Sequence, residues 1–131
     1  MGDPSGVGPE VIMKSMASSE LAGLAIFIII GDIRVMEMAS KGEYGGRLAL
    51  LRFDRGHEDI PAEEDAVNIW DPLPELKSPK PGSATDEGSR KALECLATAV
   101  RFMKNPSDKS PKALVTAPLS KEAIARVHPG F

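Results

Sequence analysis

Cysteine is almost missing from this chain: one residue, Cys95, in 131 excludes an internal disulfide framework and suits a reducing compartment. Aromatic residues make up only 5%, so aliphatic side chains and six methionines must fill the core. That suits layered α/β packing better than a small aromatic-rich β-barrel. Basic residues do not exceed acidic ones; the net charge of −3 removes the electrostatic footprint of a nucleic-acid binder. No apolar run reaches the roughly twenty residues that span a bilayer. The N-terminus lacks the basic and then apolar regions of a secretory signal. Histidine occurs twice, at positions 57 and 128, too far apart to form a metal-ligand spacing. No serine lies in a nucleophile-elbow pattern, and no internal repeat is present.

The chain does contain enough apolar residues, 42%, for one domain-sized core. It opens on Met1-Gly2-Asp3-Pro4-Ser5-Gly6-Val7-Gly8-Pro9-Glu10, a glycine and proline loop leading into a helix start. Glycines let the backbone turn tightly and approach a ligand, and Pro9 suits the first helical turn, where its missing N–H needs no partner. In α/β proteins such a loop follows a buried strand, and the helix behind it offers N–H groups to an anion or polar cofactor. The sequence holds no such preceding strand, which is expected if the chain is part of a longer one. The pattern is neither the dinucleotide G-x-G-x-x-G nor a P-loop.

Apolar runs then alternate with helical patterns. Residues 9–22 predict a helix with Val11, Ile12, Met16 and Leu21 on its apolar side. Residues 24–30, continuously apolar and rich in isoleucine, predict a strand buried on both faces. Asp32 suits the cap of a helix over 33–40 carrying Val35, Met36 and Ala39. Strands are expected at 48–53 and 66–70, separated by a polar stretch that holds His57. The proline-rich segment 72–82 is a connector. The longest helix is expected over 83–104, with Ala92, Leu93, Leu96, Val100 and Met103 inward, Lys91 on another face, and Cys95 an unreactive small residue beside the stripe. A short strand is expected from 112 or 113 to 116, and a last helix over 120–127.

This order predicts an α/β fold: a mostly parallel sheet with helices on both faces, joined by right-handed crossovers. Ligands in such sheets sit beyond the carboxyl ends of the strands. Three loops should meet there, at residues 2–8, 31–32 and 116–121, and form a small-molecule site. Asp3 could accept hydrogen bonds from a ribose or substrate hydroxyl, or simply satisfy N–H groups of its own loop. Lys121 could pair with a phosphate or carboxylate, or stand solvated in the first turn of a helix. His57 and His128 suit solvated or helix-terminal positions better than ligand positions.

Three separated motifs carry a resemblance. The opening decapeptide, Thr116-Ala117-Pro118-Leu119-Ser120-Lys121 and the closing Pro129-Gly130-Phe131 together resemble the 4-hydroxythreonine-4-phosphate dehydrogenase family, as does Pro81-Gly82-Ser83 with Gly88 beyond it. The first motif also resembles the start of the isocitrate and isopropylmalate dehydrogenases, whose fold that family shares. The resemblance implies a single partial domain over residues 1–131, belonging to a larger two-domain, homodimeric, cytoplasmic enzyme. That enzyme would use NAD or NADP and a divalent metal, Zn, Mg or Co, to oxidise and decarboxylate 4-phosphohydroxy-L-threonine in pyridoxal phosphate (vitamin B6) biosynthesis. By the same resemblance Asp3, Ser5, Gly6, Val7 and Gly8 match the cofactor loop, and Thr116, Pro118 and Lys121 the substrate cleft. No residue here matches a metal ligand, and the isolated chain is expected to be inactive. Two alternatives are a paralogue acting on another four-carbon phosphorylated hydroxy acid and a non-catalytic binding module that keeps the fold.

Overall fold

The computed structural model describes residues 1–42, 49–53, 66–74, 76–77, 79–105 and 110–130. Its elements run α1 (Gly8–Met16), a 3₁₀ turn (Ser19–Leu21), β1 (Ile28–Ile30), α2 (Ile33–Ser40), β2 (Ala49–Phe53), β3 (Ala66–Trp70), α3 (Asp86–Met103) and α4 (Lys121–Val127). The three strands form one parallel sheet in the order β1-β3-β2, with Ile29 beside Ile69 and Phe53 beside Trp70.

The core follows from the pleat of β3. Val67 and Ile69 share one face with Ile29 of β1, and α1 and α2 cover it with Met13, Ile33 and Met36. Trp70 points to the other face, where its ring meets Phe102 of α3 edge-on, centroids 5.7 Å apart. Helices therefore lie on both faces, as the alternation of elements predicts. Asn68, fully buried in the central strand, donates to the carbonyls of Phe27 and Ala66. Side chains cap three helices: Asp32, as expected, accepts from the Val35 N–H, Ser120 from Ala123, and Thr85 from Gly88, so that α3 starts at Asp86 and not at residue 83.

Several elements differ from expectation. The first helix ends at Met16, because the Ser18 hydroxyl accepts the Glu20 N–H and starts a separate turn. Met13 is its fully buried apolar side chain, Ile12 and Met16 pack against the core as expected, and Val11 is 53% exposed. Only Ile28–Ile30 of the apolar run 24–30 is a strand; Leu24 and Ile26 are exposed. Residues 28–30 are the ones that β3 pairs, and the described residues pair nothing with 24–27. Residues 112–116 form no strand for the same reason, and Val115 stands 91% exposed.

The α3 face also turns. Gly88, Ala92, Cys95 and Ala99 are buried at helical spacing, because small side chains let the helix approach the sheet closely, while Val100 is exposed. Lys91, expected on an outer face, is only 2% exposed. His57, residues 43–48 and Phe131 lie outside the described residues. No helix among the described residues is long and apolar enough to cross a membrane.

Candidate functional site

Two of the three expected loops touch directly. The Asp3 N–H donates to the Pro118 carbonyl at 3.0 Å. The glycines around that bond are dictated by close backbone approach: a Cβ on Gly2 would lie 2.5 Å from the Pro118 oxygen, and one on Gly8 would lie 2.5 Å from the Met1 oxygen. Contact between the loops therefore does not need a strand at 112–116.

The third loop enters underneath. Gly31 packs on Met1, whose amino group donates to the Ile30 carbonyl at 2.9 Å, and the Asp32 N–H points at the Met1 sulfur at 3.4 Å.

Within the opening loop the side chains play different parts. Asp3 Oδ1 accepts the Ser5 N–H at 2.9 Å, and the Asp3 carbonyl accepts from Gly6, so Asp3 organises its own turn. Ser5 is buried, and its carbonyl accepts from Gly82 at 2.7 Å. Gly6 and Val7 are exposed. Val7 opens α1 without a side-chain cap, unlike the residues opening α2, α3 and α4. The first turn of α1 thus keeps donors that the other helices spend on hydroxyls or a carboxylate. Thr116, Pro118 and Lys121 are exposed beside the loop contact. A shallow depression next to them is lined by Asp3, Ser89, Leu119 and Ser120, with Ala92, Ala123 and Ile124; neither Thr116 nor Lys121 lines it.

Below this surface lies a charged cluster that the sequence patterns did not show. Lys91 Nζ stands 2.5 Å from Asp32 Oδ2 and 2.8 Å from Asp71 Oδ1, and both carboxylates are fully buried. Asp32 also accepts from the Leu76 N–H, and Asp71 from Ile33 and Leu73. Two signals were available: Asp32 lies two residues past β1 and Asp71 directly follows β3, and Lys91 lies three residues from Gly88 and four from Cys95 on a face of small residues.

Cys95 is buried close to this cluster, and burial pushes its thiol up to about 11. The thiol therefore stays protonated at pH 8. Labelling of the native chain with an aromatic disulfide reagent should run on the order of 100-fold slower than in denaturant. Comparable rates would show Cys95 to be accessible and ionised. Among the described residues no three His, Cys, Asp or Glu side chains gather in a metal-holding group, so no described residue is given a metal role.

No family model matches the chain. Relatives and solved structures do. D-threonate 4-phosphate dehydrogenase of Pectobacterium atrosepticum is 32% identical over 136 residues, covering 99% of this chain and 40% of the relative. The 4-hydroxythreonine-4-phosphate dehydrogenase of Zymomonas mobilis is 28% identical, covering 97% of this chain and 35% of that protein. The crystal structure of 4-hydroxythreonine-4-phosphate dehydrogenase from Klebsiella pneumoniae superposes with a TM-score of 0.79 at 27% identity, over 100% of this chain and 39% of that one.

The chain is a parallel α/β sheet with a glycine loop at its strand ends, similar over nearly its whole length to part of proteins named as dehydrogenases, which are oxidoreductases. More narrowly, proteins named D-threonate 4-phosphate dehydrogenase and 4-hydroxythreonine-4-phosphate dehydrogenase match it over nearly its whole length, and it spans about two fifths of the length of the relatives it matches.

Proposed function

We propose that this chain supplies one wall of the cofactor and substrate cleft of an NAD- or NADP-dependent dehydrogenase acting on 4-phosphohydroxy-L-threonine, in a cytoplasmic homodimer that serves pyridoxal phosphate formation. The supporting observation is the joining of residues 2–8 and 116–121 by the Asp3 to Pro118 hydrogen bond, beside the uncapped start of α1.

On this proposal Asp3, Ser5, Gly6, Val7 and Gly8 shape the cofactor loop, with the exposed Val7 backbone N–H at the start of α1 offered to a carboxamide or phosphate. Thr116, Pro118 and Lys121 face the substrate, and the Lys121 ammonium pairs with its phosphate or carboxylate. The bound nicotinamide supplies hydride acceptance; the chain supplies position and field. Loss of carbon dioxide from the resulting β-keto acid completes the reaction. A divalent ion, which the family resemblance implies, would take its ligands outside the described residues.

A second substrate is favoured by the names of the relatives that are 32% identical, D-threonate 4-phosphate dehydrogenases and putative ones. Both substrates are four-carbon phosphorylated hydroxy acids, so Lys121 could serve either.

The test is nicotinamide reduction by the full natural polypeptide that contains this chain, given each phosphorylated acid in turn with Mg, Zn or Co. Turnover of one of them is expected, and Lys121→Met should raise its KM on the order of 10-fold or more with less effect on kcat. Residues 1–131 alone should form no reduced nicotinamide. Absence of turnover with both acids, or a KM that Lys121→Met leaves unchanged, would sink the assignment.

A further inference from the structure

Lys91 is held by more than an ion pair. Its ammonium has four oxygens around it: Asp32 Oδ2 at 2.5 Å, Asp71 Oδ1 at 2.8 Å, the Pro74 carbonyl at 2.9 Å and the Leu73 carbonyl at 3.3 Å. An ammonium carries three protons, so four oxygens exceed one-to-one pairing and resemble the shell of an oxygen-ligated cation. The set mixes carboxylate and backbone oxygens, as such shells do.

Charge agrees with this. Two carboxylates and one ammonium leave one negative charge; besides the Leu76 and Leu73 N–H groups, the carboxylates accept from Val35 and Ile33 in the first turn of α2, where a helix favours an anion.

The oxygens come from three places in the fold, the end of β1, the end of β3 and the connector that follows β3, and the ammonium comes from a fourth, α3. Nothing else among the described contacts ties these four together at one point. Above the cage, Gly31 packs on Met1 and so carries the position of Asp32 to the opening loop. On α3, a Cβ at Gly88 would lie 3.0 Å from Pro4 Cγ, and Ser89 and Ala92 line the depression with Asp3. Lys91 therefore sits among the residues through which α3 meets the candidate cleft, yet it touches no part of that cleft itself.

We infer that Lys91 is a positioning residue: its ammonium acts as a tethered monovalent cation in an oxygen cage that locks β1, β3 and α3 together beneath the opening loop. The cage takes a free cation of ammonium or potassium size when the tether is removed. Only the opening loop's part in cofactor binding rests on the dehydrogenase assignment; the cage itself does not.

Lys91→Ala in the same chain leaves room where the ammonium stood. Thermal unfolding is followed in chloride salts of ammonium, methylammonium, potassium and tetramethylammonium at equal ionic strength. The midpoint should fall on the order of 10 °C in the variant. It should then rise with the logarithm of ammonium, methylammonium or potassium concentration, and not with tetramethylammonium, which is too bulky to enter. The parent chain should show no such selectivity. Amide exchange at Ser5 and Gly6 should quicken in the variant and slow again with the same three cations, a response that general loss of packing does not give. An equal response to all four salts, or none, overturns the inference.

If Lys91→Ala does not fold, the unsubstituted chain decides by heteronuclear NMR. A caged ammonium keeps slowly exchanging protons near neutral pH, whereas those of surface lysines exchange too fast to observe. Disappearance of the Lys91 signal along with theirs overturns the inference. Both readouts are independent of turnover, so cation rescue without dehydrogenase activity would keep the cage and remove the proposed function.

Discussion

Lys91→Met should cost about 3–5 kcal/mol of stability, because it removes the cation from between two fully buried carboxylates and leaves both uncompensated. Asp71→Asn should cost about 1–3 kcal/mol, since it leaves one carboxylate facing one ammonium and removes mainly a charge-assisted hydrogen bond. The order is the informative part. A cluster that mattered only through its hydrogen bonds would make the two losses similar. Urea midpoints of the two variants measure it.

The difference between Lys91 and Asp32 shows what the sequence could carry. Asp32 was legible because capping is local: an aspartate just before a helical pattern needs nothing remote to explain it, and it accepts the Val35 N–H as expected. The same locality explains α2, found over Ile33–Ser40, and β3, found over Ala66–Trp70. Lys91 was illegible because its place depends on partners 59 and 20 positions away in the chain, Asp32 and Asp71. On α3 the leucines suggested the inward face, whereas the helix turned so that Gly88, Ala92, Cys95 and Ala99 let it approach closely.

The apolar runs at 24–30 and 113–116 were over-read for a related reason. Hydrophobicity marks a segment that can join a sheet, but pairing needs a neighbour, and among the described residues β3 supplies one only for Ile28–Ile30. The contact between the opening loop and residues 116–121 does not depend on a strand at 113–116. Its geometry depends on loop contacts at Gly2, Gly8 and Pro118, and those were visible as glycines and prolines whether or not a strand led into them.

Gly2→Ala should separate the loop pair. Gly2 has φ of 81°, which costs an L-residue about 1–2 kcal/mol in the left-handed region. Its added Cβ would also lie 2.5 Å from the Pro118 oxygen and 2.9 Å from Ala117 Cβ, so the 116–121 loop must move and the Asp3 N–H loses its acceptor. Gly23→Ala is the control. Gly23 has φ of 71° and nothing within 4 Å of an added Cβ, so that variant bears the backbone cost alone. Gly8→Ala tests the opposite balance: alanine in a helix gains up to about 1 kcal/mol over glycine, yet its Cβ would meet the Met1 backbone oxygen at 2.5 Å. Steric overlap with backbone outweighs that gain, because the oxygen cannot swing aside as a side chain would. Gly2→Ala and Gly8→Ala should therefore each lose more stability than Gly23→Ala, and Gly2→Ala should speed amide exchange at Asp3. If Gly23→Ala proved the most damaging of the three, close packing of the two loops could not be what holds the cleft wall in place.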